Sequence, residues 1–299
     1  MQIKSLAVVA AIAPLATAIG LPKHSGRGWC ASEATEDVMA SLSALNDAEE
    51  QMRIAGNATQ LLPRQTPGTI VIPVHMHAVV NTSVSDTFLN KTKMQEQLDV
   101  MNKAFAPHDI QFTLESVTRK VENSLARSPF GNMDGAALDA YWKKSHVGGY
   151  DTVNLWFYSN FPSRVFGACS LPKDDFPADS YHQDGCHIAS GTMPGGEIVD
   201  YNLGYTAVHE VGHWLGLLHT FQGLSCKGNG DMISDTPQES RSTQGCPKPY
   251  KDSCPENEGT DPIHNYMDYG NDPCYEEFTA GQQTRMHNSW AKYREGKSA

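Results

Sequence analysis

The apolar positions of this chain follow two periods. A nearly unbroken apolar run, TIVIPVHMHAVV at 69–80, predicts a buried strand, and IQFTLESVTRKV (110–121) and TVNLWFYS (152–159) predict two more. CHIASGTMPGG (186–196) opens as a short strand and passes into a glycine-rich turn. Leu89, Met94, Leu98, Met101 and Phe105 recur at roughly helical spacing and stop before Pro107, which predicts a long amphipathic helix. The acidic stretch 31–52 is helix-forming, and TAGQQTRMHNSWAKYREG (279–296) predicts a terminal helix. Strands and helices are unevenly segregated, so the pattern favours an α+β fold over a doubly wound sheet.

One apolar run carries chemistry. TAVHEVGHWLGLLHTF (206–221) puts three histidines and a glutamate inside eleven positions. On a helix, His209 and His213 stand one turn apart on one face and form a chelating pair. Gly216 can end the helix in a left-handed conformation and return His219 as a third nitrogen ligand. Three protein ligands leave one tetrahedral position of a zinc ion open, the arrangement of a catalytic site and not of a structural one. Glu210 stands between the histidines as the general base. Chance occurrence of HExxHxxGxxH in a chain this long is on the order of one in ten thousand. Val208, Val211, Leu215 and Leu218 recur on another face and anchor the helix in a core. His75 and His77 share one strand face, where packed or solvent-facing histidines are a simpler reading than a metal pair.

Residues 1–18 have Lys4, an apolar stretch and Ala16-Thr17-Ala18, the form of a signal peptide, so the chain is expected to be secreted. That stretch is too short to span a bilayer, and membrane insertion is not expected. Residues 19–64 differ in composition and end in LLPRQTPG (61–68), a linker with Arg64 as a processing point, which makes 19–64 a prosegment and 65–299 the catalytic domain. Sequons at Asn57, Asn81 and Asn90 are compatible with glycosylation. The formal charge of −11, with no basic cluster, argues against nucleic acid as a partner.

Seven cysteines in a secreted chain predict disulfides and leave at least one outside intramolecular pairs. Cys169 and Cys186 flank a loop they could close. Cys226, Cys246, Cys254 and Cys274 lie in an irregular region after the histidine helix and permit three pairings. Cys30 is left over, upstream of Arg64.

HEVGHWLGLLH, followed by NYMDY at 265–269, resembles the metzincin zinc peptidases. Thr220 after the third histidine, with GDMISDTP, GCP, SCP and DPIHNYMDYGNDPC, is similar to the pappalysin branch and its secreted fungal metalloproteases. The resemblance covers roughly 69–290. It implies a cleft between an upper lobe, with a twisted mixed sheet, a backing helix and the active-site helix, and a small disulfide-rich lower lobe. It also implies hydrolysis of peptide bonds, with protein or peptide substrates as the partners, by a chain expected to act as a monomer. Met267 would lie in the turn beneath the metal and Tyr269 would ligate zinc at rest or stabilise the oxyanion. The implied pairings are Cys226 with Cys254 and Cys246 with Cys274. The strand around His187 to Ser190 would form the rim along which an extended substrate lies.

Relatives also carry a prosegment cysteine that occupies the open metal position. Cys30 is the counterpart here, although an arginine immediately before and a glycine immediately after are replaced by Trp29 and Ala31; an intermolecular disulfide or an idle thiol are the other readings. Asp231, Asp235 and Thr236 have calcium-like spacing, and solvated turn carboxylates would look the same. The alternative function is a secreted binding protein that keeps zinc as a staple without catalysis. Retention of Glu210 argues against it, because a structural site needs a fourth protein ligand and no base.

Overall fold

The computed structural model describes residues 30–32, 34–55, 68–127, 135–160 and 165–298. Residues 1–18, expected to be a signal peptide, Asn57 and Arg64 lie outside the described residues. α1 (Glu36–Ile54) comes first, then strand β1 (Ile70–Val80), α2 (Lys91–Phe105) and β2 (Ile110–Val121). α3 (Gly135–Ser145), β3 (Val153–Tyr158), β4 (Gly167–Cys169) and β5 (Cys186–Ala189) follow, then α4 (Tyr205–Trp214) and α5 (Ala280–Ser289). The strands form one twisted sheet in the order β2-β1-β3-β5-β4. All neighbours run parallel except β4, which is antiparallel to β5. The fold is thus α+β with a mixed sheet.

α2 starts later than the apolar spacing predicts. Asn90 accepts a hydrogen bond from the Lys93 amide and caps the helix, while Leu89 sits before it at φ 55°, outside the helix but inside the core. Met94, Leu98, Met101 and Phe105 pack on β1 and on α4, so this helix backs the sheet. β1 is buried almost throughout because β2 and β3 flank it and helices cover it.

The edge of the sheet corrects one expectation. His187 lies on β5, paired on both sides, and its ring stacks on Trp156. The rim is β4, whose three residues have no period to read. The Cys169–Cys186 disulfide ties this edge to β5 at register-paired positions. His75 and His77 are also no metal pair: they bond Ser116 and Thr118, and His77 additionally bonds Asn154.

After α4 the chain forms the irregular lower region, where Cys226 is joined to Cys254 and Cys246 to Cys274. The end of the chain returns under the upper lobe. Arg294, fully buried, donates to the Trp214 carbonyl (2.8 Å) and to Asp184 (2.9 Å), and the Trp214 indole donates to the same carboxylate (2.8 Å). This network fixes the end of the histidine helix. No helix among the described residues is long and apolar enough to cross a membrane.

Candidate metal centre and cleft

α4 ends at Trp214, two residues before the turn at Gly216, so Leu215 and Leu218 lie beyond the helix, although both stay buried. Gly216 has φ 93°, the Gly216 amide donates to the His213 carbonyl (2.8 Å) and the Leu217 amide to the Gly212 carbonyl (3.0 Å). These two bonds close a glycine C-cap. A Cβ at Gly216 would lie 2.6 Å from Ser289 Oγ, so glycine is required by space as well as by φ. The same reversal presents the Leu217 carbonyl to His213 Nδ1 (2.7 Å). His209 Nδ1 meets the Tyr266 carbonyl, also at 2.7 Å.

A carbonyl only accepts, so Nδ1 carries the proton on both rings and each Nε2 turns a lone pair inward. His213 Nε2 lies 3.2 Å from His209 Nε2 and 3.1 Å from His219 Nε2. Burial lowers the His209 imidazole to about 4, and burial with the neighbouring imidazoles holds His213 and His219 well below the usual range. Three neutral rings with converging lone pairs repel one another unless a cation sits between them. Tetrahedral zinc at ~2.0–2.1 Å from each nitrogen sets them about 3.3 Å apart, so the donor set fits the ion.

Met267 is fully buried under α4, where a Cβ on Gly212 would come within 2.5 Å of its sulfur. Its amide is held by Asn265 Oδ1 (2.9 Å), and its carbonyl accepts from Thr220 (3.3 Å). The methionine turn therefore holds His209 through Tyr266 and the segment after His219 through Thr220. Glu210 is fully buried, and burial pushes its carboxyl up to about 8. A Cβ on Gly167 would lie 2.5 Å from Glu210 Oε1, so the β4 edge comes close only because position 167 is glycine.

The open side of the triad is covered by residues 30–32. The Cys30 sulfur and the three ring nitrogens all lie within 4.8 Å of one another. Cys30 forms a parallel bridge to Gly167, and the Ala31 amide donates to the Gly167 carbonyl (2.9 Å). Cys30 is a free thiol that burial, then the Glu210 charge, pushes up; it lies 3.5 Å from Glu210 Oε2. Ser32, which no motif singled out, donates to Glu210 Oε2 (2.9 Å) and accepts from the Cys169 amide (2.8 Å). Its only sequence signal is that it stands two residues after Cys30. The Tyr269 hydroxyl donates to the Cys30 carbonyl (3.2 Å), and burial keeps that phenol protonated.

The candidate calcium residues behave differently from one another. Asp235 is committed to the start of α5, accepting from Thr279 Oγ1 (2.7 Å) and from the Gly281 amide (2.7 Å). Asp231 is buried, with Oδ1 accepting from the Ile233 amide (3.1 Å) and the Thr236 hydroxyl set against its carboxylate.

Comparison with known proteins agrees with this architecture. Residues 169–291 match the model of the peptidase M43 family, described as pregnancy-associated plasma protein-A. An extracellular metalloprotease of Colletotrichum graminicola is 40% identical over 98% of this chain and 99% of its own. Another, from Pyricularia oryzae, is 44% identical over 89% of each. Mature mirolysin of Tannerella forsythia, solved with a cleaved peptide, is 27% identical and superposes with a TM-score of 0.61 over 74% of this chain and 91% of its own. A promirolysin mutant shares the fold, with a TM-score of 0.64 over 89% and 94% at 24% identity. The molecule is a metzincin-like zinc metallopeptidase. Within that class, the chain belongs to the peptidase M43 family.

Proposed function

We propose that this chain is a secreted endopeptidase made as a zymogen, with residues 1–18 a signal peptide, 19–64 a prosegment and 65–299 the catalytic domain. The observation that carries the reading is the convergence of three Nε2 atoms, that of His213 lying 3.1–3.2 Å from the other two, with Glu210 and the Cys30 thiol at their open side. His209, His213 and His219 would hold the metal. A zinc ion there supplies Lewis acidity, lowering the pKa of water from ~15.7 to ~7 and polarising the scissile carbonyl.

Glu210 takes the proton from the attacking water and later passes it to the departing amine. Its buried, raised carboxyl suits a group that must both accept and return a proton. Tyr269 already donates to a main-chain carbonyl, that of Cys30, and the same hydroxyl would donate to the oxygen that gains charge in a substrate. The edge of β4 binds residues 30–32 through main-chain atoms, and a substrate backbone would use it once they leave, which suits many sequences.

In the zymogen, Cys30 would hold the metal with the three histidines, a bound cation drawing off the thiol proton, while Ser32 donates to the Glu210 carboxylate. Asp231 and Thr236 would be the residues through which the lower region held a calcium ion, with solvated turn carboxylates the other reading.

The deciding experiment is Glu210→Gln. Hydrolysis of a mixed peptide library by the processed protein should fall by about 10²-fold or more while stoichiometric zinc remains. Near-normal turnover would remove Glu210 from the mechanism.

A further inference from the structure

α1 is held to the body by both apolar and polar contacts. Val38 and Leu42 join Leu171 and Leu218 in one apolar cluster, and Leu45 joins Tyr150 and Tyr293 in another. The Tyr293 hydroxyl donates to the Ser41 carbonyl (2.7 Å). Arg285 on α5 has no exposed side-chain surface, and its Nε (3.0 Å) and one terminal nitrogen (2.9 Å) donate to the Glu49 carboxylate on α1. Asn46 Oδ1 accepts from the same guanidinium at 3.2 Å, and Asn288 Nδ2 donates to Glu49 at 3.1 Å. Among the described residues, Glu49 is the only carboxylate that pairs with Arg285.

The strand that covers the cleft is held by much less. Its attachments are one bridge to β4, the Ser32 hydroxyl, the Tyr269 hydroxyl and the Cys30 sulfur. The contacts of α1 just named are made by residues 38–49 with the body and not through the linker, so cutting the linker leaves them in place.

We propose that the face built by α5, Tyr293, Leu171 and Leu218 is a docking surface for α1 as a separate chain. After the linker between 55 and 68 is cut, the fragment carrying residues 30–54 stays bound without a covalent link and keeps the cleft shut. Cleavage and activation are then two events, the second being departure of α1. This rests on the latency reading given above. The apolar contacts supply the hold, and the Arg285–Glu49 fork supplies selectivity, because a partner lacking the carboxylate would leave the buried guanidinium only the Met232 carbonyl and the nearby Asp231. Leu218 precedes His219, so loss of α1 also uncovers the base of the turn that carries the third ligand.

The test uses the full chain with a site for a sequence-specific protease placed in the linker. After the cut, mass and elution volume report whether the fragment travels with the body, and a peptide assay reports activity. The fragment should co-elute and the cut protein should stay silent. In Glu49→Ala the fragment should separate and activity should appear only after the cut. If that chain does not fold, synthetic peptides of residues 30–54 are titrated against the cut wild-type complex carrying a labelled fragment. The wild-type peptide should displace the label, and the Glu49→Ala peptide should be at least about a hundredfold weaker. Separation of the wild-type fragment on cutting, or equal potency of the two peptides, overturns the proposal. Activity of the uncut chain would instead sink the latency reading, while co-elution would still be measured by mass.

Discussion

The two sides of the metal centre are built to different standards. His209 and His213 are each aimed by a main-chain carbonyl at 2.7 Å, and both carbonyls belong to buried segments fixed by further bonds. Cys30 and Ser32, on the open side, reach the centre on an isolated bridge whose neighbours hold it mainly through side chains. A ligand set that must keep its geometry is over-determined, while a cover that would leave on maturation is held by a few separable contacts. The difference predicts that damage to the first side abolishes the site and damage to the second side opens it.

Removal of a ligand gives the largest expected effect. His219→Ala should lose stoichiometric zinc together with activity, because two nitrogens on a helix do not complete the set. Metal analysis alongside the peptide assay checks this, and retention of zinc at native affinity would require a different third ligand. Gly216→Val strikes the same side through the backbone. The strain of a branched residue at φ 93° costs about 1–3 kcal/mol, and the contact with Ser289 adds to it. Denaturant titration should show the loss, and zinc affinity should fall with it.

The open side should respond in the opposite sense. Cys30→Ser, uncut, should show activity that the uncut wild type lacks, since a hydroxyl binds zinc far less well than a thiolate. Unchanged latency would mean that the segment blocks by bulk alone. The body should carry a pH dependence of its own through His77. Burial first, then His75, lowers the His77 imidazole to about 4, from 6.5. Its folded value lies below the unfolded one, so the stabilisation is complete above about pH 6.5 and is lost as pH falls toward 4. The slope is ~1.4 kcal/mol per pH unit for one such group. Acid unfolding of His77→Asn should be flatter in that window; an identical slope would acquit His77. The smallest effect is expected from Ser32→Ala, which removes one charge-assisted hydrogen bond from the cover and should raise the activity of the uncut chain by no more than roughly tenfold.

Legibility in the sequence follows the same division. Chelation by a helix requires fixed spacing, so His209, His213 and His219 announce themselves, and Gly216 does so because a reversal there needs a left-handed residue. β1 and β3 show as apolar runs because strands flank both, while the edge strand β2 shows through its length and its β-branched residues. β4 has three residues, Gly-Ala-Cys, and becomes a strand only by pairing with a segment 17 positions later, which no local pattern records. α3 was likewise unmarked, its short apolar face packing as a satellite around Trp156. Gly167 and Gly212 matter through what touches them, Glu210 and Met267, and such absences of side chain are invisible until the chain is folded. Ser32 belongs to the same class, since its role depends on a carboxylate 178 positions away.

The Arg285–Glu49 fork has a consequence over generations of sequence change. It couples α5, which the working enzyme keeps, to a helix that would be discarded. A substitution at 49 is felt at a position that must still support the terminal helix, and a change at 285 is felt in a segment that the proposed maturation would remove. Disposable parts usually drift freely, but this one is expected to drift in step with its host. Prosegments exchanged between diverged members of the family should therefore fit poorly unless both residues of the fork travel together.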